Sequence, residues 1–161
     1  MKIKIALIVI TMAISSTLVT NSSIAASKSR TVTINFVGDV HGQSAIKTDS
    51  LASLKQYFSQ GDLNIFNLET AVTNQDVKEE KEYNFKTNRA FLKSLKSVGL
   101  NLANIANNHS YDYGLSGFED TLKNLDKAGM DYVGGGLNSS AAYKGRIYTI
   151  KDMRIGVLGI A

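Results

Sequence analysis

The stretch Leu100 to Gly129, LNLANIANNHSYDYGLSGFEDTLKNLDKAG, decides the fold. Its first part, Leu100 to Ala106, is mainly apolar and short, which predicts a strand. A polar segment follows, Asn107-Asn108-His109-Ser110-Tyr111-Asp112. Ser116-Gly117-Phe118-Glu119 then matches the S-x-x-E pattern in which serine and glutamate cap each other's backbone at a helix start. Past it, Phe118, Leu122 and Leu125 recur at helical spacing, Glu119 and Lys123 stand four apart, and Gly129 offers a stop. The segment therefore reads as strand, polar loop, helix.

The same unit recurs toward the amino terminus. Thr31 to Val37 alternates Val32, Ile34 and Phe36 with Thr31, Thr33 and Asn35, the period of a strand. Ser50 to Phe58 carries Leu51, Leu54 and Phe58 at helical spacing, with Gly61 to end it. Leu63 to Leu68 is a second strand. Asn88 can cap a helix whose apolar stripe is Phe91, Leu92, Leu95 and Val98, and Gly99 closes it. Downstream, Tyr132-Val133 is a short strand, and Ile147–Ile150 and Ile155–Ile160 read as a hairpin through Lys151-Asp152. Ala71 to Lys86, with its charge run Lys78 to Glu82, reads as a solvated loop. Gly134-Gly135-Gly136 reads as a flexible turn, since no Lys-Ser/Thr follows to make it a phosphate loop. Strands alternating with helices predict an α/β domain built on a parallel sheet, here over residues 31–161.

Composition narrows the function classes. The chain has 161 residues, 43% hydrophobic and 20% charged, which is globular composition. It has no cysteine, so neither disulfides nor thiolate-held zinc are available, and only two histidines. Its net charge is +4 with the basic residues scattered, which argues against nucleic-acid binding. Lys2 and Lys4, the apolar run Ile5 to Val19 and the small residues Ser23-Ile24-Ala25 form a secretory leader over 1–25. The run is shorter than the ~20 residues that span a bilayer, although an uncleaved anchor through residues 5–19 is the rival reading. Ala26 to Arg30 is a short polar lead. Either reading sends the domain out of the cytoplasm, to the periplasm or cell surface.

In parallel α/β sheets, ligands bind beyond the carboxyl ends of the strands. After the first strand comes Gly38-Asp39-Val40-His41-Gly42, after the second Asn67-Leu68-Glu69-Thr70, and after the third the Asn107–Asp112 segment. Both histidines of the chain thus gather at one edge with the carboxylates of Asp39 and Glu69. Asp39 and His41 can face one ion if the backbone turns at Gly38 and Gly42. Carboxylate, imidazole and amide oxygen together suit Mn²⁺, Fe or Zn²⁺ better than Ca²⁺. Glu69 could reach a second ion, and metal pairs of this kind cleave phosphoesters. Taken singly, each residue has a plainer reading, as a turn, cap or solvated side chain.

These residues carry a resemblance. Gly38-Asp39-Val40-His41-Gly42 resembles the D-x-H signature of calcineurin-like metallophosphoesterases, and Asn108-His109 the Asn-His of their G-N-H signature. NLET, NIANNHSYDYGLSGFEDTLKNLDKAG, GGGLN and RIGVLGIA resemble the CapA family of capsule and poly-γ-glutamate synthesis proteins, from about Thr31 to Ala161. The resemblance implies a metallophosphoesterase-like α/β/β/α sandwich. It implies that Asp39 and His41 bind one metal, that Glu69 stands at the bridging acid, and that Asn108 binds the second metal. His109 would be a general acid or phosphate contact, and Asp112 would orient it. The implied partners are an anionic capsule polymer or phosphoester substrate and other capsule-synthesis proteins at the membrane. Two further function classes remain beside this one: a non-catalytic scaffold of a capsule machinery, and a general secreted phosphoesterase or nucleotidase.

Such proteins are about twice this length and take further histidine ligands from their second half. The chain is therefore expected to hold roughly the first half of the domain and to be inactive alone. Its strands would form one sheet with an inner apolar face, including Val157 and Ile160, left uncovered.

Overall fold

The computed structural model describes residues 31–42 and 48–161. The leader and polar lead expected over 1–30 lie outside the described residues. Strand β1 (Ile34–Val40) is followed by a 3₁₀ segment (Thr48–Leu54) that runs into a short helix α1 (Lys55–Phe58), then β2 (Leu63–Leu68). Two-residue strands β3 (Ala71–Val72) and β4 (Lys86–Thr87) bracket a long loop before helix α2 (Arg89–Ser97). Strand β5 (Leu102–Asn104), helix α3 (Gly114–Ala128), strand β6 (Asp131–Val133), the one-turn α4 (Ser139–Ala142) and the hairpin β7 (Arg146–Ile150) and β8 (Met153–Val157) complete the order.

Four strands make the expected parallel sheet, in the order β1-β2-β5-β6. Strand β2 shows why it holds two layers. Phe66 and Leu68 point to one face and Leu63 and Ile65 to the other, as the two-residue period demands, and all four are buried. On the first face they meet Phe91, Leu92, Leu95 and Val98 of the α2 stripe and Phe118, Leu122 and Leu125 of α3. On the second, Leu63, Ile65, Leu102 and Val133 meet Tyr148, Ile150 and Val157 of the hairpin.

That second contact corrects the expectation of one continuous sheet with a bare inner face. The strands β7 and β8 pair only with each other, antiparallel, and fold back over the inner face as a separate ribbon. The reversal is made by Lys151 and Asp152, both at positive φ (50° and 64°). A two-residue loop with both central residues left-handed twists the same way as the flanking strands. The cover is partial: Phe36, Leu158 and Ile160 stay exposed.

Boundaries moved in several elements, among them β8, which runs Met153–Val157 rather than Ile155–Ile160. Strand β1 starts and ends three residues later than the alternation suggests, so Asp39 lies within it. Pairing with β2 skips Gly38, with Val37 opposite Phe66 and Asp39 opposite Asn67. Gly38 is thus a bulge in a strand that goes on pairing, not a turn. Helix α2 is capped as expected, the Asn88 side chain accepting from the Ala90 N–H at 2.9 Å. Helix α3 is not: it opens at Gly114 after Tyr113, without a side-chain cap, and Ser116 and Glu119 lie inside it. The chain is already winding before Ser116, through the Asp112 N–H to the His109 carbonyl and the Gly114 N–H to the Tyr111 carbonyl. The Glu119–Lys123 pair forms, at 3.7 Å.

Candidate functional site

The carboxyl ends of β1, β2 and β5 lie side by side, and a connected set of contacts runs across them. Asn67, at the end of β2, donates from Nδ2 to Asp39 Oδ1 at 2.8 Å. The Asn67 Oδ1 accepts from Asn104 Nδ2 at 3.2 Å and from Asn107 Nδ2 at 3.0 Å. Asn107 also donates to the Leu68 carbonyl, and its Oδ1 accepts from the His109 N–H, both at 3.0 Å. These bonds fix which way each amide faces: Asn107 must offer its nitrogen to Asn67, which must offer its own to Asp39. One oxygen of Asp39 is therefore held in place by a residue of the neighbouring strand, while the side chain remains exposed.

His109 is buried. Its Nδ1 lies 2.8 Å from Asp112 Oδ2, and its Nε2 lies 3.6 Å from Glu69 Oε1. Asp112, bonded at Nδ1, orients the ring and leaves Nε2 directed toward Glu69. Asp112 is the hub of this corner, with a side chain 0% exposed. Its Oδ2 also accepts from the Phe85 N–H at 2.5 Å, and its Oδ1 pairs with the Lys81 ammonium. A carboxylate so buried requires such partners.

Lys81 and Phe85 belong to the segment that reads as a solvated loop. That reading is corrected here. Ala71, Val72 and Thr73 are buried, and β3 pairs in parallel with β4. The Val72 N–H donates to Thr121 Oγ1 and the Asn124 amide to the Val72 carbonyl, tying the segment to α3. At the loop's start the Thr73 hydroxyl, 2.7 Å from Asp120, holds that carboxyl below its ordinary range. Farther on, the Glu79 N–H donates to the Asp112 carbonyl and Lys81 Nζ to the Asn108 carbonyl at 2.8 Å. Charged residues do face water, but the loop is strapped over the end of β5.

His41 and His109 do not meet directly. The Phe85 ring lies between them, 4.6 Å from His41 at an interplanar angle of 9° and 4.3 Å from His109 at 30°. Gly42, next to His41, packs against the Phe91 ring, where a Cβ would come within 3.0 Å. Of the six residues expected at the site, Asp39, His41, Glu69, His109 and Asp112 thus join one network, and Asn108 borders it through its carbonyl. Asn67, Asn107, Phe85 and Lys81 are the members that sequence reasoning passed over. The donor set, two carboxylates with imidazole and amide, has the chemistry of a divalent-metal site. Among the described residues, however, no three His, Asp or Glu side chains converge as a group that could hold an ion.

A mixed α/β layer on a parallel sheet fits the metallophosphoesterase-like fold. The family model for the bacterial capsule synthesis protein PGA_cap matches residues 33–161, and the chain belongs to that family, which has this fold. Among its relatives, the PGA biosynthesis protein CapA of Bacillus subtilis is 33% identical over 136 residues, covering 78% of this chain and 36% of the relative. The capsule biosynthesis protein CapA of Bacillus anthracis is 33% identical over 82 residues, 51% of this chain and 20% of the relative. A "Probable polyglutamine synthesis accessory protein" of Mycobacterium tuberculosis is 28% identical over 99 residues, 61% of this chain and 26% of the relative. The chain thus spans about a third or less of the length of these curated relatives.

Proposed function

We propose that this chain acts outside the cytoplasm in the synthesis or export of an anionic capsule polymer of the poly-γ-glutamate type, alongside other capsule-synthesis proteins. Its strand-end site is one share of a metal-dependent phosphoester-cleaving centre. The observation that carries this reading is that Asp39, Glu69 and His109 stand at or just beyond the ends of three neighbouring parallel strands, within a family named for capsule synthesis. The leader-like segment over 1–25 supports the location.

In this reading Asp39, His41, Glu69 and Asn108 would hold a pair of divalent ions, with Mn²⁺, Fe or Zn²⁺ as candidates. Such a pair, when bound, activates water and neutralises charge on a phosphate. The chain's own residues do the positioning. Asn67 keeps one Asp39 oxygen fixed, so the carboxylate presents its other oxygen without searching rotamers. Asp112 holds His109 at Nδ1, so Nε2 is the atom that can hold or deliver a proton. The strap over residues 74–86 shields that corner from bulk water.

The test is metal analysis and model-phosphoester turnover of protein purified from its own cells. Asp39→Ala and His41→Ala should each lower bound metal, whereas His109→Ala should keep metal and lower turnover by on the order of 10²–10⁴. Unchanged stoichiometry in both metal-site variants would sink the ligand assignment. The scaffold reading would stand if capsule formation needs the protein but none of these substitutions affects it.

A further inference from the structure

We propose that Phe85 is a positioning residue that holds both histidines of the site in register through the two faces of its ring. The inference deepens the reading above and rests on it for the role of the histidines, although not for the stack itself.

The two imidazoles come from loops after β1 and β5, strands that are separated in the sheet by β2. The backbone ladder through β2 spaces the two strands, but it does not orient the two rings against each other. The Phe85 ring does so: nearly parallel to His41 at 4.6 Å and tilted 30° against His109 at 4.3 Å. A flat ring with two faces can orient two other flat rings at once, which a branched aliphatic side chain of similar volume cannot. The ring is itself fixed from behind. Its own N–H donates to Asp112 Oδ2, the same oxygen that receives His109 Nδ1. Asp112 therefore holds both His109 and the residue that stacks on it. Lys81 neutralises that carboxylate from four residues upstream and grips the Asn108 carbonyl, so the strap arrives with its register set.

The arrangement also accounts for an aromatic residue in an otherwise charged loop. Phe85 is half-buried while its neighbours Glu80, Glu82 and Tyr83 are exposed. With His41 exposed and His109 buried, the ring spans the boundary between solvent and core.

The experiment compares Phe85→Leu and Phe85→Met, which remove the flat face at similar volume, with Phe85→Tyr, which keeps it. In metal-free full-length protein, nuclear Overhauser contacts should link the Phe85 ring to both histidine rings. Phe85→Leu and Phe85→Met should move the His41 and His109 carbon-bound ring protons toward their positions in an unstacked histidine, and Phe85→Tyr should not. Absence of those contacts in the unsubstituted protein, or histidine resonances unmoved in Phe85→Leu, overturns the stack. With Mn²⁺ as probe, the aliphatic variants should bind roughly 3- to 10-fold more weakly, with Phe85→Tyr restored to within about twofold. Equal weakening in all three variants would make Phe85 a packing residue only, and the proposal would fall. If the unsubstituted protein binds no Mn²⁺, the metal assignment fails, while the metal-free resonances still decide the stack.

Discussion

Asp112 is the fully buried carboxylate of the site. It engages an imidazole, a backbone N–H and an ammonium. Each bond to a charged acceptor contributes about 1.5–3 kcal/mol, and unpairing a buried charge costs more than removing both partners. Asp112→Asn keeps the shape but replaces one acceptor with a donor that faces Lys81 or Phe85. It should lower unfolding free energy by about 2–4 kcal/mol in urea titration, with an unchanged slope against urea. A loss under about 0.5 kcal/mol would mean that water already satisfies these partners. Single residues of this type were only partly legible in the sequence. Asp39, His41, Glu69 and His109 stood out by chemistry at strand ends, and Asp112 through the family resemblance. Asn67 and Asn107 did not, because asparagine at a strand end is commonplace and only the three-dimensional bond pattern makes them a relay. Asn64 is a similar case: a polar residue inside a strand, buried because its Nδ2 donates to the Phe58 and Gly99 carbonyls at 3.0 and 2.8 Å.

At the scale of elements, the two main helices offer a direct contrast. Both carried a serviceable start signal, and only one was used. Asn88 caps α2 through the Ala90 N–H, whereas Ser116 sits two residues inside α3 with no capping role. Loss of a working N-cap typically costs about 1 kcal/mol. Asn88→Ala should therefore destabilise by about that amount, and Ser116→Ala, exposed within a helix, should stay within about 0.5 kcal/mol. Matched thermal melts of the two variants decide it, and equal losses would restore the capping box. The difference has a tertiary cause. The turns through His109, Asp112 and Tyr113 are fixed by the site's own bonds, so the chain enters the helix earlier than local sequence suggests. The strand Leu63–Leu68 was legible to the residue because its whole length pairs with β1, its middle pairs with β5, and Leu63, Ile65, Phe66 and Leu68 supply both of its faces with apolar side chains. The strap was not, because two-residue strands carry no period and Phe85 is a single apolar letter in a charged run.

At the scale of the molecule, the sheet and its hairpin are joined less by sequence neighbours than by a few polar ties around an apolar contact. The β7–β8 turn is held by Lys151 Nζ, 2.8 Å from Asp62 Oδ2 and 2.8 Å from the Thr31 carbonyl. Arg146 pairs with Asp131 at 2.8 Å and donates to the Tyr132 carbonyl, on the outer edge of the sheet. The Tyr148 hydroxyl donates to Asp131 at 2.8 Å. These ties titrate in opposite directions. The Lys151 ammonium, and then the Thr33 N–H, hold the Asp62 carboxyl below its ordinary range. That contribution is present above the unfolded carboxyl value, about 3.9, and is lost as pH falls through the lower folded value. Burial, and then the bond to Asp131, push the Tyr148 hydroxyl well up. Its contribution is complete below the unfolded phenol value, about 10, and is lost as pH rises toward the folded value. Hydrogen exchange, corrected for intrinsic rates, should show the β7 and β8 amides best protected between about pH 5 and 9 and less protected on both sides. The β2 and β5 amides, enclosed by both apolar layers, should change less. Asp62→Asn should remove the acid limb and leave the alkaline one, and Tyr148→Phe should do the reverse. A flat profile in the unsubstituted protein would show that the apolar contact of Tyr148, Ile150 and Val157 with Leu63, Ile65, Leu102 and Val133 holds the ribbon without help from charge.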